Sequence, residues 1–240
     1  MTTLQIEHDV DAGGLVELQT PRDDLVLETL VGENHFALLE GAFESYERTL
    51  SVAQIDADPA KFSVTETFTY RSAIPFWRFA THFPIKWSIA KRRPHGRQPW
   101  WAPPQRLDAR ASRVLALLCS LTVFAGYMGS VLSQTISFAS DEFDINEATQ
   151  GTVTAVVRTG VLISVFVTTM ADRRGRRRLL LGSAVGAALL TATGALVPSI
   201  WWLGLSQGSA RAISTGLSIL IGIVAAEELP AGTRAYGVSI

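Results

Sequence analysis

Residues 114–138, VLALLCSLTVFAGYMGSVLSQTISF, contain no Asp, Glu, Lys or Arg. A helix needs about 20 such residues to cross ~30 Å of hydrocarbon. Three further apolar runs follow, from Gly151 to Met170, from Leu179 to Val197 and from Ile200 to about Ala226. Soluble proteins rarely string four runs of this length together, so the run pattern predicts an all-α polytopic membrane bundle of four transmembrane helices.

The charges between the runs orient them. KRRPHGR (91–97) and then Arg106, Arg110 and Arg113 precede the first run. SDEFDINEATQ (140–150) separates the first two with four acids and no Lys or Arg, and DRRGRRR (172–178) separates the second and third. Basic loops stay on the cytoplasmic side. The expected arrangement is therefore a multi-pass protein of the cell membrane, with its N-terminus and the arginine loop inside and the acidic loop outside. Trp100, Trp101, Trp201 and Trp202 lie near run ends, where indole rings favour the headgroup level. Gly182 with Gly186, and Gly204 with Gly208, form GxxxG pairs suited to close helix packing. The opening MTTLQIEHDV has neither a basic nor an apolar signal region, which predicts a cytoplasmic start without a cleavable signal.

The loop Met170-Ala171-Asp172-Arg173-Arg174-Gly175-Arg176-Arg177-Arg178 resembles the cytoplasmic loop between helices two and three of major facilitator superfamily transporters, G-x-L-a-D-R-x-G-R-R. It departs at its opening, where Thr168 replaces the glycine and Met170 the leucine. The segment Glu227-Glu228-Leu229-Pro230-Ala231-Gly232-Thr233-Arg234 looks like that family's second acidic–basic loop. The resemblance covers about residues 112–240. It implies a partial major-facilitator fold, with a gating loop formed by Asp172, Arg173, Gly175, Arg176, Arg177, Glu227 and Arg234. It also implies alternating access to a small organic solute, with a coupling ion as partner. Independently of the family, Gly175 suits a tight reversal, and Asp172 at the inner end of a helix calls for a cationic or N-terminal helix partner.

Polar side chains inside the runs are the candidate substrate site. Arg211 lies about 16 Å into the fourth run at ~1.5 Å per residue, and Arg158 about 10 Å from the outer end of the second. Gln207, Arg211 and Thr215 share one helix face, as do Tyr127, Ser130 and Gln134 on the first run. A midplane arginine costs on the order of 2.5–3.5 kcal/mol, and with no acid in the cores of the four runs its charge favours an anionic ligand. In the resembling family the first and fourth helices line the central cavity. Arg158 is equally suited to snorkelling to the interface. The family reading places the missing coupling group and the C-terminal helices beyond Ile240, where AYGVSI would begin a fifth span.

Residues 1–92 read as a small soluble α+β domain, and 93–112, with four prolines, as a basic juxtamembrane linker. Residues 1–60 carry thirteen Asp or Glu against Arg22 and Arg48, whereas 86–113 carry eight Lys or Arg against Asp108. Phe36–Ile55 and Phe62–Ile74 are strand-like, with a hairpin turn at Asp56-Ala57-Asp58-Pro59. A helix follows Pro75, with Phe76, Phe79, Phe83 and Trp87 at helical spacing. That stripe is expected to be core, an interfacial helix being the alternative. Strands closed by a long C-terminal helix resemble the START-like or polyketide-cyclase helix-grip fold, which implies an apolar ligand. A membrane-anchored apolar-ligand-binding or sensory protein is accordingly the second functional reading. The basic run reads as an anionic-lipid anchor rather than a nucleic-acid surface. His8, His35, His82, His95 and Cys119 lack metal-site spacing, and no phosphate loop or nucleophile elbow occurs, so neither a cofactor nor an enzymatic activity is expected.

Overall fold

The computed structural model describes residues 1–55 and 61–239. They divide into two compact units, Met1–Leu117 with Glu228–Ser239, and Leu118–Glu227.

The first unit is built on a five-stranded antiparallel sheet in the order β1-β5-β4-β3-β2. Its strands are β1 (Thr2–Asp11), β2 (Leu27–Gly32), β3 (His35–Glu40), β4 (Phe43–Gln54) and β5 (Lys61–Ser72). Helix α1 (Ala12–Gln19) follows β1, and α2 (Arg78–Ala90) follows β5. Period-two alternation sets the faces: along β5, Val64, Glu66, Phe68 and Tyr70 are buried while their neighbours are more open. Asp11 caps α1 by accepting from the Gly14 N–H at 2.8 Å. The two-residue turn between Gly32 and His35 places Asn34 at φ 55°, a conformation asparagine tolerates well.

The inner face of the sheet carries three zones. Leu18, Phe36, Leu50 and Val64 form one apolar cluster beside α1. Val26, Phe43, Tyr46, Phe68 and Tyr70 form another, on which Ile85 and Ile89 of α2 pack. Between them Arg48, fully buried, donates to Glu28 and Glu66 at 2.8 and 2.9 Å. It also donates to the carbonyls of Leu18 and Thr20, and it stacks 3.9 Å from the Phe36 ring centroid. Arg22 holds Asp24 at 2.7 Å and the Ile89 carbonyl at 2.7 Å, tying the end of α2 to the loop before β2.

One sequence expectation needs correction here. Phe76, Phe79, Phe83 and Trp87 are not core: they are 73%, 80%, 75% and 50% exposed. The side of α2 that faces the sheet is instead lined by Ile85, Ser88 and Ile89. The helix is apolar on two sides, and helical spacing alone cannot tell which side meets the sheet. The basic segment after α2 makes contacts with the sheet domain. Arg92 donates to the Thr20 carbonyl at 2.7 Å, the Arg93 N–H donates to Asp24 at 3.2 Å, and Arg106 pairs with Asp23. The strand-like segments appear as β3, β4 and β5, and β1 and β2 are additional. The proposed turn at Asp56–Pro59 lies outside the described residues.

The helices that follow are α3 (Ala109–Glu142), α4 (Glu147–Thr159), α5 (Ser164–Arg174), α6 (Arg176–Thr193) and α7 (Ile200–Glu228). A short α8 (Arg234–Ser239) closes the described chain. Among the described residues three helices are long and apolar enough to cross a membrane: Ala109–Glu142, Ile200–Glu228, and α6 extended by a 3₁₀ turn to Leu196. The second apolar run is not one continuous α-helix, because a 3₁₀ turn at Gly160–Ile163 separates α4 from α5.

Within the second unit α4 lies close to α7. A Cβ on Gly204 would meet Val153 at 2.9 Å, and one on Gly208 would meet Val157 at 3.6 Å. The Gly204/Gly208 pair therefore permits the approach that small residues allow in lipid. The pair in α6 behaves differently, since Gly182 has nothing within 4 Å and Gly186 only Ile213, at 3.9 Å.

Candidate functional site

Arg211 sits in the middle of α7, half-buried, and donates through Nη1 to the carbonyl of Gly129 on α3. Its Nε is buried without an acceptor. Gly129 is flanked on α3 by Tyr127 and Ser130, two of the residues singled out from the sequence. Tyr127 is 65% exposed, and Ser130 donates to the Tyr127 carbonyl at 2.9 Å. Gln134 is exposed. Thr215 donates to the Arg211 carbonyl at 2.9 Å, within its own helix. The arrangement thus brings Arg211 to the polar stretch of α3 and leaves one guanidinium N–H looking for a partner. A guanidinium offers five donors in a planar fork, and a carboxylate or phosphate matches that fork best.

Two of the expected residues do not join this group. Gln207 is buried and turns to α6, donating to the Thr191 carbonyl at 3.2 Å. It joins helices rather than lining a cavity. Arg158 is exposed at one end of an open groove of about 540 Å³. Glu147, Gln150, Gly151, Thr154 and Ala155 of α4 line the rest of it. These residues recur every three or four positions, so the groove is the polar face of a single helix. The opposite face, with Val153 and Val157, packs on α7.

Within the second unit the arginine loop meets the C-terminal end of α7. Gly175 has φ 89°, where a side chain would be strained, and it immediately precedes α6. Arg176 of α6 pairs with Glu227 of α7, joining the two loops that the sequence singled out. Arg173 and Arg177 are exposed, and the Asp172 side chain lies outside those described. In the first unit Arg110 of α3 pairs with Glu228 at 2.9 Å, and Arg113 approaches Glu44 of β4 at 3.6 Å. The Gly232 N–H donates to Gln105 at 3.2 Å, and Tyr236 donates to the Trp101 carbonyl at 2.9 Å. Arg234 donates to the Leu229 carbonyl at 3.3 Å.

Sequence reasoning missed the ionic cluster around Arg48. Tyr46 belongs to it, donating to Glu28 at 2.6 Å. Burial, and then the Glu28 charge, hold the Tyr46 phenol well above its ordinary range. Burial opposes the charge of Arg92, reinforced by Arg48 and Arg22 nearby, so its guanidinium is lowered. The only signal in the sequence was the strand alternation VTETFTY, which puts Glu66 on the same face as Phe68.

Among the described residues no group of three or more His, Cys, Asp or Glu side chains could hold a metal ion. No protein-family model matches the chain, and neither a curated protein nor a solved structure is similar to it.

Proposed function

We propose that residues 109–239 form four crossings of a secondary transporter for a small organic anion, working by alternating access. The observation that carries this reading is Arg211. A guanidinium deep in an apolar helix, with one arm on the Gly129 carbonyl and a buried Nε left unpaired, is a charge held ready for an acceptor absent from the protein. A purely structural arginine at this depth would be fully paired, because each unsatisfied donor costs about 1–3 kcal/mol.

Parity supports the count of four. Arg110 at the start of α3 pairs with Glu228 at the end of α7, which supports a shared side of the bilayer for the two ends. Arg176 at the start of α6 pairs with Glu227, putting that end on the same side. An even number of crossings between the start of α3 and the end of α7 fits both pairs. Three continuous helices are long enough, and the interrupted run from Glu147 to Arg174 supplies the fourth. The starts of α3 and α6 carry arginines, which supports a cytoplasmic position for these ends in a cell-membrane protein. The resemblance of DRRGRRR to the major facilitator loop agrees with the position of Gly175 and with the Arg176–Glu227 pair. The alternative, an apolar ligand held between sheet and helix, has less support: Phe43, Tyr46, Phe68, Tyr70, Ile85 and Ile89 already fill that space.

The test is flux of radiolabelled organic anions into proteoliposomes holding the protein with any further helices its gene encodes. Arg211→Ala should cut flux at least about tenfold, the equivalent of ~1.4 kcal/mol. Unchanged flux would remove Arg211 from the site. Topology is read separately by an impermeant maleimide on intact cells, in a Cys119→Ser background. Thr149→Cys should label from outside and Arg173→Cys should not; the reverse pattern would overturn the orientation.

A further inference from the structure

Helix α2 buries Ile85, Ser88 and Ile89 against the sheet and leaves a second apolar face uncovered. Phe79, Phe83 and Trp87 are spaced every four residues along that face, and Phe76 lies two residues before the helix start. Phe76 holds φ 61°, a left-handed conformation that costs a bulky residue about 1–3 kcal/mol. Its side chain is nevertheless exposed, so no contact within the described residues repays that cost.

The surroundings of this face are cationic. Arg78, His82 and Lys86 lie along one flank and Lys91 along the other, all exposed. Lys91 and Arg93 each stand 5.8 Å from the Trp87 ring centroid. From Thr67 to Leu107 the chain has eight Lys or Arg and no Asp or Glu, although acids crowd the strands before it. Arg92, Arg93 and Arg106 are engaged with the sheet domain, but Arg78, Lys86, Lys91 and Arg97 are exposed. The helix is also near a bilayer by covalent connection. Eighteen residues separate α2 from α3, and Arg113, one residue before the first apolar run, reaches Glu44 of the same domain.

We infer that the aromatic face of α2 lies in the headgroup region of the cytoplasmic leaflet, inserting Phe79, Phe83 and Trp87 between anionic lipids that pair with Arg78, Lys86 and Lys91. Aromatic rings bordered by lysine and arginine suit that boundary: the rings enter the acyl edge while the charges remain among phosphates. An acidic protein surface would match the charges but would leave three large rings to be covered by apolar partner surface. A second copy would bring like charge against like. The bilayer answers both features. The inference needs only the membrane residence of the chain, not its transport activity.

The test uses the whole chain in a Cys119→Ser background, reconstituted in vesicles of phosphatidylcholine with phosphatidylglycerol. A bimane label is placed singly at Phe83→Cys, at Glu47→Cys on the exposed face of the sheet, and at Leu205→Cys in α7. Brominated lipids should quench the label at 83 several-fold more than that at 47. Omitting phosphatidylglycerol, or introducing Lys86→Glu with Lys91→Glu, should reduce the quenching at 83 by about half, since the attraction between basic side chains and anionic headgroups is then lost. Equal, weak quenching at 83 and 47 would overturn the inference. So would a label at 83 shielded from aqueous iodide but untouched by brominated lipid, because protein would then cover the face. Quenching indifferent to lipid charge would overturn the anionic assignment. The label at 205 reports independently whether the spanning helices are in the bilayer, which separates failure of this inference from failure of the membrane reading.

Discussion

Arg48 and Arg211 are the same residue type in two interiors, and their partners differ. In the sheet domain Arg48 meets two carboxylates, two backbone carbonyls and an aromatic face, and its side chain is completely buried. In the helical unit Arg211 reaches one carbonyl, and its Nε has no acceptor. A buried charge with all its donors used is part of the architecture. One with a donor to spare is available to something else. The contrast also separates cost from purpose: the Arg48 cluster offsets its desolvation locally, whereas Arg211 carries a cost that the fold alone does not recover.

The largest effect that could break this contrast is expected at Arg48. Arg48→Met should destabilise the sheet domain by about 3–5 kcal/mol, because Glu28 and Glu66 would remain buried without their cation. Pulse proteolysis of the whole chain would show it as early cleavage within residues 1–92; wild-type resistance would mean that the ionic cluster is dispensable. Next comes helix packing. Gly204→Ala forces a Cβ against Val153 and should cost about 1–3 kcal/mol, while Gly182→Ala should stay within about 0.5 kcal/mol. Thermal aggregation in detergent would rank the two, and equal midpoints would deny the α4–α7 contact its role.

Alkaline pH probes the same cluster more gently. The Tyr46 phenol is raised in the folded domain above its ordinary 10.0 by burial and by Glu28. Below about pH 10 both states keep the proton. Above it the unfolded chain releases its proton first, so stability should fall as pH rises, by up to about 1.4 kcal/mol per unit. Tyr46→Phe should flatten that slope; an identical slope in the variant would assign the effect elsewhere. Smaller still is the Arg176–Glu227 pair, exposed enough that Glu227→Gln should cost no more than about 1 kcal/mol. The smallest change in stability is expected from Arg211→Met, which removes an incompletely paired charge and should leave the thermal midpoint in detergent intact. A variant that unfolds would make Arg211 a structural residue like Arg48.

What could be read from residues alone follows from how far apart the partners are in the chain. The runs at 114–138, 179–197 and 200–226 became α3, the α6 segment and α7 within a few residues, because hydrophobic length is a local property. The 3₁₀ turn at Gly160–Ile163 was hidden, since an interrupted helix and an intact one share the same apolar composition. Strand β5 was visible through VTETFTY. Strand β1 was not, because its inward Leu4, Ile6, His8 and Val10 alternate with Gln5, Glu7, Asp9 and Asp11 in what looks like a polar tail. Arg48 finds Glu28 and Glu66 at separations of 20 and 18 residues, which no local pattern encodes. For the candidate site, position along the helix located Arg211 and the Tyr127–Ser130 stretch. It could not show that Gln207 turns to α6 and Arg158 to the open face of α4.

The ion pair between Arg110 and Glu228 ties the start of α3 to the end of α7. Like the hinge of a pair of tweezers, such a tie leaves the opposite tips the greatest freedom. A rotation of about 10° about a fixed end would carry the far tip of the 29-residue α7, roughly 44 Å long, through about 8 Å. Arg211 stands seventeen residues from that pivot, so the same rotation would shift it by about 4–5 Å. That is enough to part it from the Gly129 carbonyl, so the contact holds only while the two helices keep their present angle.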